Sequence, residues 1–363
     1  MSSGSGARRA AAVCRHAAVA AVAVLAWSAQ SALASRGPVV SALAQSHPYR
    51  HGVVPMRGHL AALQQQRASG TTDVAYQGGL DGVGVMTATP RVYLVFWGTQ
   101  WGTQTSNGQG DAVLSGDPVA MAPDLQQFFK GLGSDGETWS RVMTQYCQGV
   151  ATGAQSCPAN AAHVAYPAHS VLAGVWADES SPAPAQASGH QLAQEAVQAA
   201  AHFGNTSQTA NRNVQYVIIS PTGTHPDGFD TDTAQFCAWH DWTGDNTLSG
   251  GAVTSPYGEL SFTNLPYVTD AGTGCGQGFV NSGAAGALDS VTLVEGHEYA
   301  ESLTDPYPST GWLDSSGNEV ADKCAWIKSG AGAAENLTLS TGSFAVQSTW
   351  ANDANGGQGG CEA

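Results

Sequence analysis

His297, Glu298 and Glu301 stand within about one helical turn of each other in an apolar stretch, residues 291–301. On an α-helix, positions i and i+4 share a face, so His297 and Glu301 can reach a common atom with Glu298 beside them. An imidazole and a carboxylate so placed are metal donors. A second carboxylate next to the first donor is placed to move a proton. The pattern is the H-E-x-x-H helix of zinc hydrolases with a carboxylate in place of the second histidine, and zinc accepts carboxylate oxygen. The same residues would also suit a solvated helix face, but Val291 and Val294 directly ahead argue for a packed one.

A metal centre needs further donors, and the sequence offers several. Asp305 follows on the same helical face if the helix lasts that far. The run Trp312, Leu313, Asp314, Ser315, Ser316, Gly317, Asn318 reads as a hairpin or tight loop around Ser316 and Gly317. It returns Glu319 and Asp322 towards the helix as candidates for the third ligand or its supporting partner. An oxygen-only calcium site at Asp314, Glu319 and Asp322 is an alternative use of the same loop. His240, between Trp239 and Asp241 and close to Cys237, is a candidate ligand or a donor to a tetrahedral oxyanion. A structural histidine beside a disulfide is the plainer reading there. His225 falls in a loop after a strand. No G-x-S-x-G motif supports serine chemistry, whereas glycosidase chemistry pairing Glu298 with another acid stays open.

These side chains need a helix over residues 288–304. Leu288, Val291 and Val294 supply its inner side, Asp289 or Ser290 its cap, and Pro306 its stop. Upstream, the β-branched and aromatic residues at 91–97 and the run at 214–219 predict buried strands, with further strands near Val164 and over 171–176. Helices are expected over 123–132 and 191–203, closed by Gly133 and Gly204. The alternation at 336–351 predicts late strands. The fold class is therefore α+β or α/β: a mixed sheet with packed helices, a zincin-like active-site helix at 288–304 and disulfide staples.

Arg8, Arg9 and Arg15, the short apolar core at 17–27 and Ala32-Leu33-Ala34 before Ser35 read as a signal peptide over 1–34. Residues 35–85 have weak periodicity and read as a propeptide or extended segment, with a short helix around Leu60 and Leu63. Residues 86–363 form the expected metallohydrolase domain. Cys14 lies in the leader, leaving Cys147, Cys157, Cys237, Cys275, Cys324 and Cys361. Six cysteines in an exported chain imply three disulfides with many formal pairings. Cys147–Cys157 closes the shortest loop, Cys324–Cys361 would tie back the C-terminus, and Cys237–Cys275 remains. The net charge of −15, with Lys130, Lys323 and Lys328 the only lysines, argues against nucleic acid and anionic membrane as partners once the leader is removed.

His297-Glu298-x-x-Glu301 followed by Asn318-Glu319-x-x-Asp322 resembles the gluzincin arrangement of thermolysin-like peptidases. That resemblance implies that Glu319 binds zinc and that Asp322 orients His297. Glu301 departs from it, since the family has histidine there. More broadly, Val92-Tyr93-Leu94-Val95-Phe96-Trp97-Gly98, Cys237-Ala238-Trp239-His240 and Leu303-Thr304-Asp305-Pro306-Tyr307 resemble the Exordium-like, phosphate-induced secreted proteins. This second resemblance implies an extracellular location. The expectation is a secreted zinc-dependent peptidase. His297 and Glu301 would bind the metal, completed by Glu319, Asp322 or Asp305, with Glu298 as base and peptide or protein as substrate. The alternative is a non-catalytic extracellular or cell-wall binding protein, with Trp97, Trp101, Trp239 and Trp242 facing polysaccharide.

Overall fold

Six strands build the central sheet: β1 (Val53–Pro55), β2 (Arg91–Trp97), β3 (Leu172–Asp178), β4 (Val214–Ile219), β5 (Phe236–Trp242) and β6 (Ser261–Leu265). Their order is β1-β5-β6-β4-β2-β3. The β6-β4-β2-β3 pairings are parallel, and β5 is antiparallel to both β6 and β1. This computed structural model describes residues 53–57, 73–134, 136–232 and 234–363. The expected leader at 1–34 and the short helix around Leu60 lie outside the described residues.

β4 is buried along its whole length and β2 in all but Arg91. Continuous apolar runs of this kind belong to parallel strands covered on both faces. β3, at the far edge, keeps most of its residues half-buried or exposed. Three helices do most of the covering: α1 (Met121–Gly131), α2 (Gly189–His202) and α3 (Asp289–Thr304). α2 starts earlier than its apolar pattern suggests. Ser188 Oγ accepts from the Gln191 amide at 3.2 Å, and Gln191 Oε1 accepts from the Ser188 amide at 3.0 Å, a reciprocal capping box.

α3 forms where the apolar run predicts it, but all 16 of its residues are buried. It is held against β5, α1 and the hairpin of β7 (Glu335–Leu339) and β8 (Gly342–Val346). Thr292 Oγ1 donates to the Ala345 carbonyl at 2.7 Å, tying the helix to β8. Neither expected residue caps its start. Leu288 takes the cap position without a side-chain bond. The Asp289 carboxylate instead accepts from the amides of Val280 and Asn281 and from Asn281 Nδ2.

Disulfides join Cys147–Cys157, Cys237–Cys275 and Cys324–Cys361. The second anchors the start of β5, and the third ties the segment after Asp322 to the C-terminal strand. The described parts of the 35–85 segment belong to the packed body. β1 completes the sheet, Ala75–Tyr76 pairs with Trp312–Leu313, and Val54, Val74, Tyr76, Val83 and Val85 are buried. No helix among the described residues is long and apolar enough to cross a membrane.

Candidate metal centre

α3 delivers His297, Glu298 and Glu301 to one buried cluster, β5 delivers His240, and the segment after Trp312–Leu313 delivers Glu319 and Asp322. The side chains of His240, His297, Glu298, Glu301 and Glu319 are fully buried, and that of Asp322 is 12% exposed.

His297 is fixed from behind. The Gln347 amide group donates through Nε2 to the carbonyls of Ala321 (2.9 Å) and Ser348 (3.3 Å), so its Oε1 accepts from His297 Nδ1 at 3.1 Å. Nε2 is thereby turned into the cluster, 3.1 Å from Glu301 Oε1 and 3.6 Å from Asp322 Oδ1. The Asp322 amide also donates to Glu301 Oε1 at 2.9 Å, locking loop to helix. These three donor atoms lie within 4.8 Å of one another.

His240 is held differently. Its Nε2 donates to the Asp305 carbonyl at 3.1 Å, which leaves Nδ1 as the acceptor side. Nδ1 meets Glu298 Oε2 at 3.1 Å and Glu301 Oε2 at 3.8 Å. Glu319 Oε2 stands 3.7 Å from Nε2. His240, Glu301 and Glu319 form a second donor group with the same 4.8 Å spread.

The electrostatics follow from burial and crowding. Burial pulls the His240 imidazole down to about 4, so the ring is neutral at pH 7. Burial also opposes charge on His297, but the Glu301 and Asp322 carboxylates outweigh it and raise this ring well above the ordinary range. Burial and then Glu301 push Asp322 up to about 6. Burial pushes Glu298 and Glu319 well above the usual carboxylate range, with the Glu301 charge adding to both. Glu301 goes the other way, because His297 overcomes the burial penalty.

The cluster fits a divalent metal. His297 Nε2, Glu298 Oε1, Glu301 Oε2 and both Glu319 oxygens are buried without a hydrogen-bond partner. A histidine whose rear nitrogen donates to a fixed acceptor is the usual form of a ligating imidazole. Nitrogen and carboxylate oxygen together suit zinc.

Comparisons with family models, with curated proteins and with solved structures give no match for this chain. The assignment of roles thus rests on the geometry.

Among the expected site residues, the structure brings His297, Glu298, Glu301, Glu319, Asp322 and His240 together. Asp305 is adjacent but occupied: its carboxylate accepts from the amides of Ser309, Thr310 and Gly311. The gluzincin resemblance implies Glu319 as a ligand and Asp322 as the partner of His297; Glu319 stands 3.7 Å from His240 Nε2 and Asp322 3.6 Å from His297 Nε2. Asp322 faces His297 Nε2, and Gln347 rather than Asp322 bonds His297 Nδ1. Asp314 is not drawn into the cluster. It accepts from the amides of Ser316 and Asn318 within its own turn and pairs with Lys323 at 3.1 Å. His225 Nδ1 donates to the Phe229 carbonyl in its loop. Gln347 had no signal in the sequence beyond its place as a polar residue after an apolar strand. Trp97, Trp101 and Trp239 are buried and Trp242 half-buried, so they form no exposed carbohydrate face.

Proposed function

We propose that this protein is a secreted, metal-dependent hydrolase of peptide bonds, with His297, Glu301 and Asp322 as its ligand set. The observation that carries this reading is the state of His297. Its Nδ1 is pinned by Gln347, while its Nε2 faces two carboxylates at 3.1 and 3.6 Å with no hydrogen-bond partner. A divalent ion bound there supplies a Lewis acid that polarises a substrate carbonyl and acidifies water.

The rest falls to the chain's own residues. Glu298 takes a proton from the attacking water and passes it to the leaving amine. Its Oε1 is free of hydrogen bonds, and its Oε2 rests on His240. His240 is neutral and buried, fixed at Nε2 by the Asp305 carbonyl, with Nδ1 turned to Glu298 and Glu301. That arrangement leaves it no N–H for an oxyanion. The Asp322 side chain is 12% exposed, which supports an approach to the cluster from its side. The local gluzincin resemblance favours a peptide substrate, and three disulfides fit an extracellular protein.

Glu298→Gln tests the mechanism. The variant is expected to keep its metal and lose roughly 10²–10⁴-fold in hydrolysis of a general protein substrate. An unchanged rate would overturn the assignment.

One observation favours a second reading. The full burial of His297, Glu298, Glu301 and Glu319 suits a structural ion in a non-catalytic, Exordium-like extracellular binding protein. Stoichiometric metal without turnover on any peptide selects that reading, and calcium as the bound ion would make the centre structural.

A further inference from the structure

We infer that the cluster holds two divalent cations bridged by Glu301, the second on His240, Glu301 and Glu319. This rests on the metal-centre reading above and extends it.

Glu301 divides its oxygens between two imidazoles carried by different elements. Oε1 is 3.1 Å from His297 Nε2 on the same helix, and Oε2 is 3.8 Å from His240 Nδ1 on β5. A carboxylate presented this way is a bridge, and bridged ions stand about 3.5–4 Å apart in two-metal sites.

Glu319 is the independent observation. It is fully buried, and both its oxygens lack a hydrogen-bond partner. It arrives from the loop after Trp312–Leu313, Oε2 stands 3.7 Å from His240 Nε2, and one donor atom each of His240, Glu301 and Glu319 lies within 4.8 Å of the others. The first position, on His297, Glu301 and Asp322, makes no use of it. A buried carboxylate without partners is costly, and a cation offsets that cost.

The crowding of acidic side chains points the same way. Glu298, Glu301, Asp305, Glu319 and Asp322 crowd around His240 and His297. Lys323, next in sequence to Asp322, is turned to Asp314 instead. Each position pairs one imidazole with two carboxylates, a donor set that accepts manganese as well as zinc.

The test is elemental analysis of the intact purified protein after loading with zinc or manganese and removal of excess ion. Two equivalents are expected for the native chain, falling to one in Glu319→Gln while the variant keeps its far-ultraviolet circular dichroism. The manganese-loaded native protein is expected to give an exchange-coupled paramagnetic resonance spectrum in place of an isolated six-line signal. One equivalent in the native chain with an uncoupled spectrum overturns the second cation and leaves the hydrolase reading intact. No bound dication overturns both. If Glu319→Gln does not fold, the native stoichiometry and spectrum still decide.

Discussion

Gln347 Oε1 stands 3.1 Å from His297 Nδ1, and the two residues come from the end of the β7–β8 hairpin and the middle of α3. The same amide group is fixed by its two carbonyl acceptors. The oxygen therefore cannot turn away, and the imidazole must present Nε2 to Glu301 and Asp322. Gln347→Leu removes this constraint while filling similar volume. Supporting partners of ligating histidines are typically worth 10–100-fold in metal affinity. We expect a loss of that order in a chelator competition titration, with the fold retained. An unchanged affinity would show that the helix alone orients His297.

The Cys324–Cys361 disulfide closes a loop of 37 residues directly after Asp322. Chain-entropy arguments assign a loop of that length about 3–4 kcal/mol. Its larger effect is local, because Asp322 is held to Glu301 through its own amide. Cys324→Ser with Cys361→Ser should lower the urea midpoint and weaken metal binding together. The Cys147–Cys157 pair is separated in sequence from every cluster residue, so its removal should lower stability and leave metal affinity alone. Equal effects of the two double variants on affinity would refute this local role.

The helix bearing the motif was legible because apolar lead-in, donors and Pro306 agree within one short stretch. The acidic return loop was legible for a similar reason: turn residues are local in sequence. What sequence could not resolve was which oxygen faces which nitrogen. Gln347 is distant in the chain from His297, and only the packing of β8 on α3 joins them. His240 needed the antiparallel insertion of β5 between β1 and β6 to come beneath Glu298. The Asp289 cap failed because its carboxylate found three better-placed donors in the loop before the helix. Trp97, Trp101 and Trp239 are closed to a surface role because they pack in the core. The fold of residues 91–219 followed its apolar runs closely, since buried parallel strands leave little ambiguity.

Glu195 lies inside α2, fully buried next to Asp178 at the end of β3. Burial, with Asp178 adding, pushes its carboxyl up to about 8. Below the ordinary carboxylate range, folded and unfolded chains both hold this proton. As pH rises above about 4.5 the unfolded chain releases it and the folded chain does not until about 8. Glu195 therefore costs stability progressively across that window. Glu195→Gln abolishes the titration and keeps the side-chain shape. The variant should gain stability relative to the native chain at pH 8 and gain little at pH 4.5, measured as unfolding midpoints in urea. A gain that does not depend on pH would refute the assignment.

Asp305 ends α3 and organises the loop that follows. Its carboxylate accepts from the amides of Ser309, Thr310 and Gly311 at 2.8, 3.2 and 2.6 Å, and its carbonyl accepts from His240 Nε2 at 3.1 Å. Asp305→Ala leaves those amides without their acceptor, at a cost of about 1–3 kcal/mol for a buried unsatisfied group. Asp305→Asn keeps one acceptor oxygen and should cost less. The backbone carbonyl survives both changes, but it moves with the loop, and His240 moves with it. We therefore expect the order native, Asp305→Asn, Asp305→Ala in unfolding free energy, and the same order in hydrolytic rate. Metal content should stay unchanged if Asp305 is outside the ligand set. Loss of one equivalent in Asp305→Asn, with stability preserved, would instead place its carboxylate on the metal.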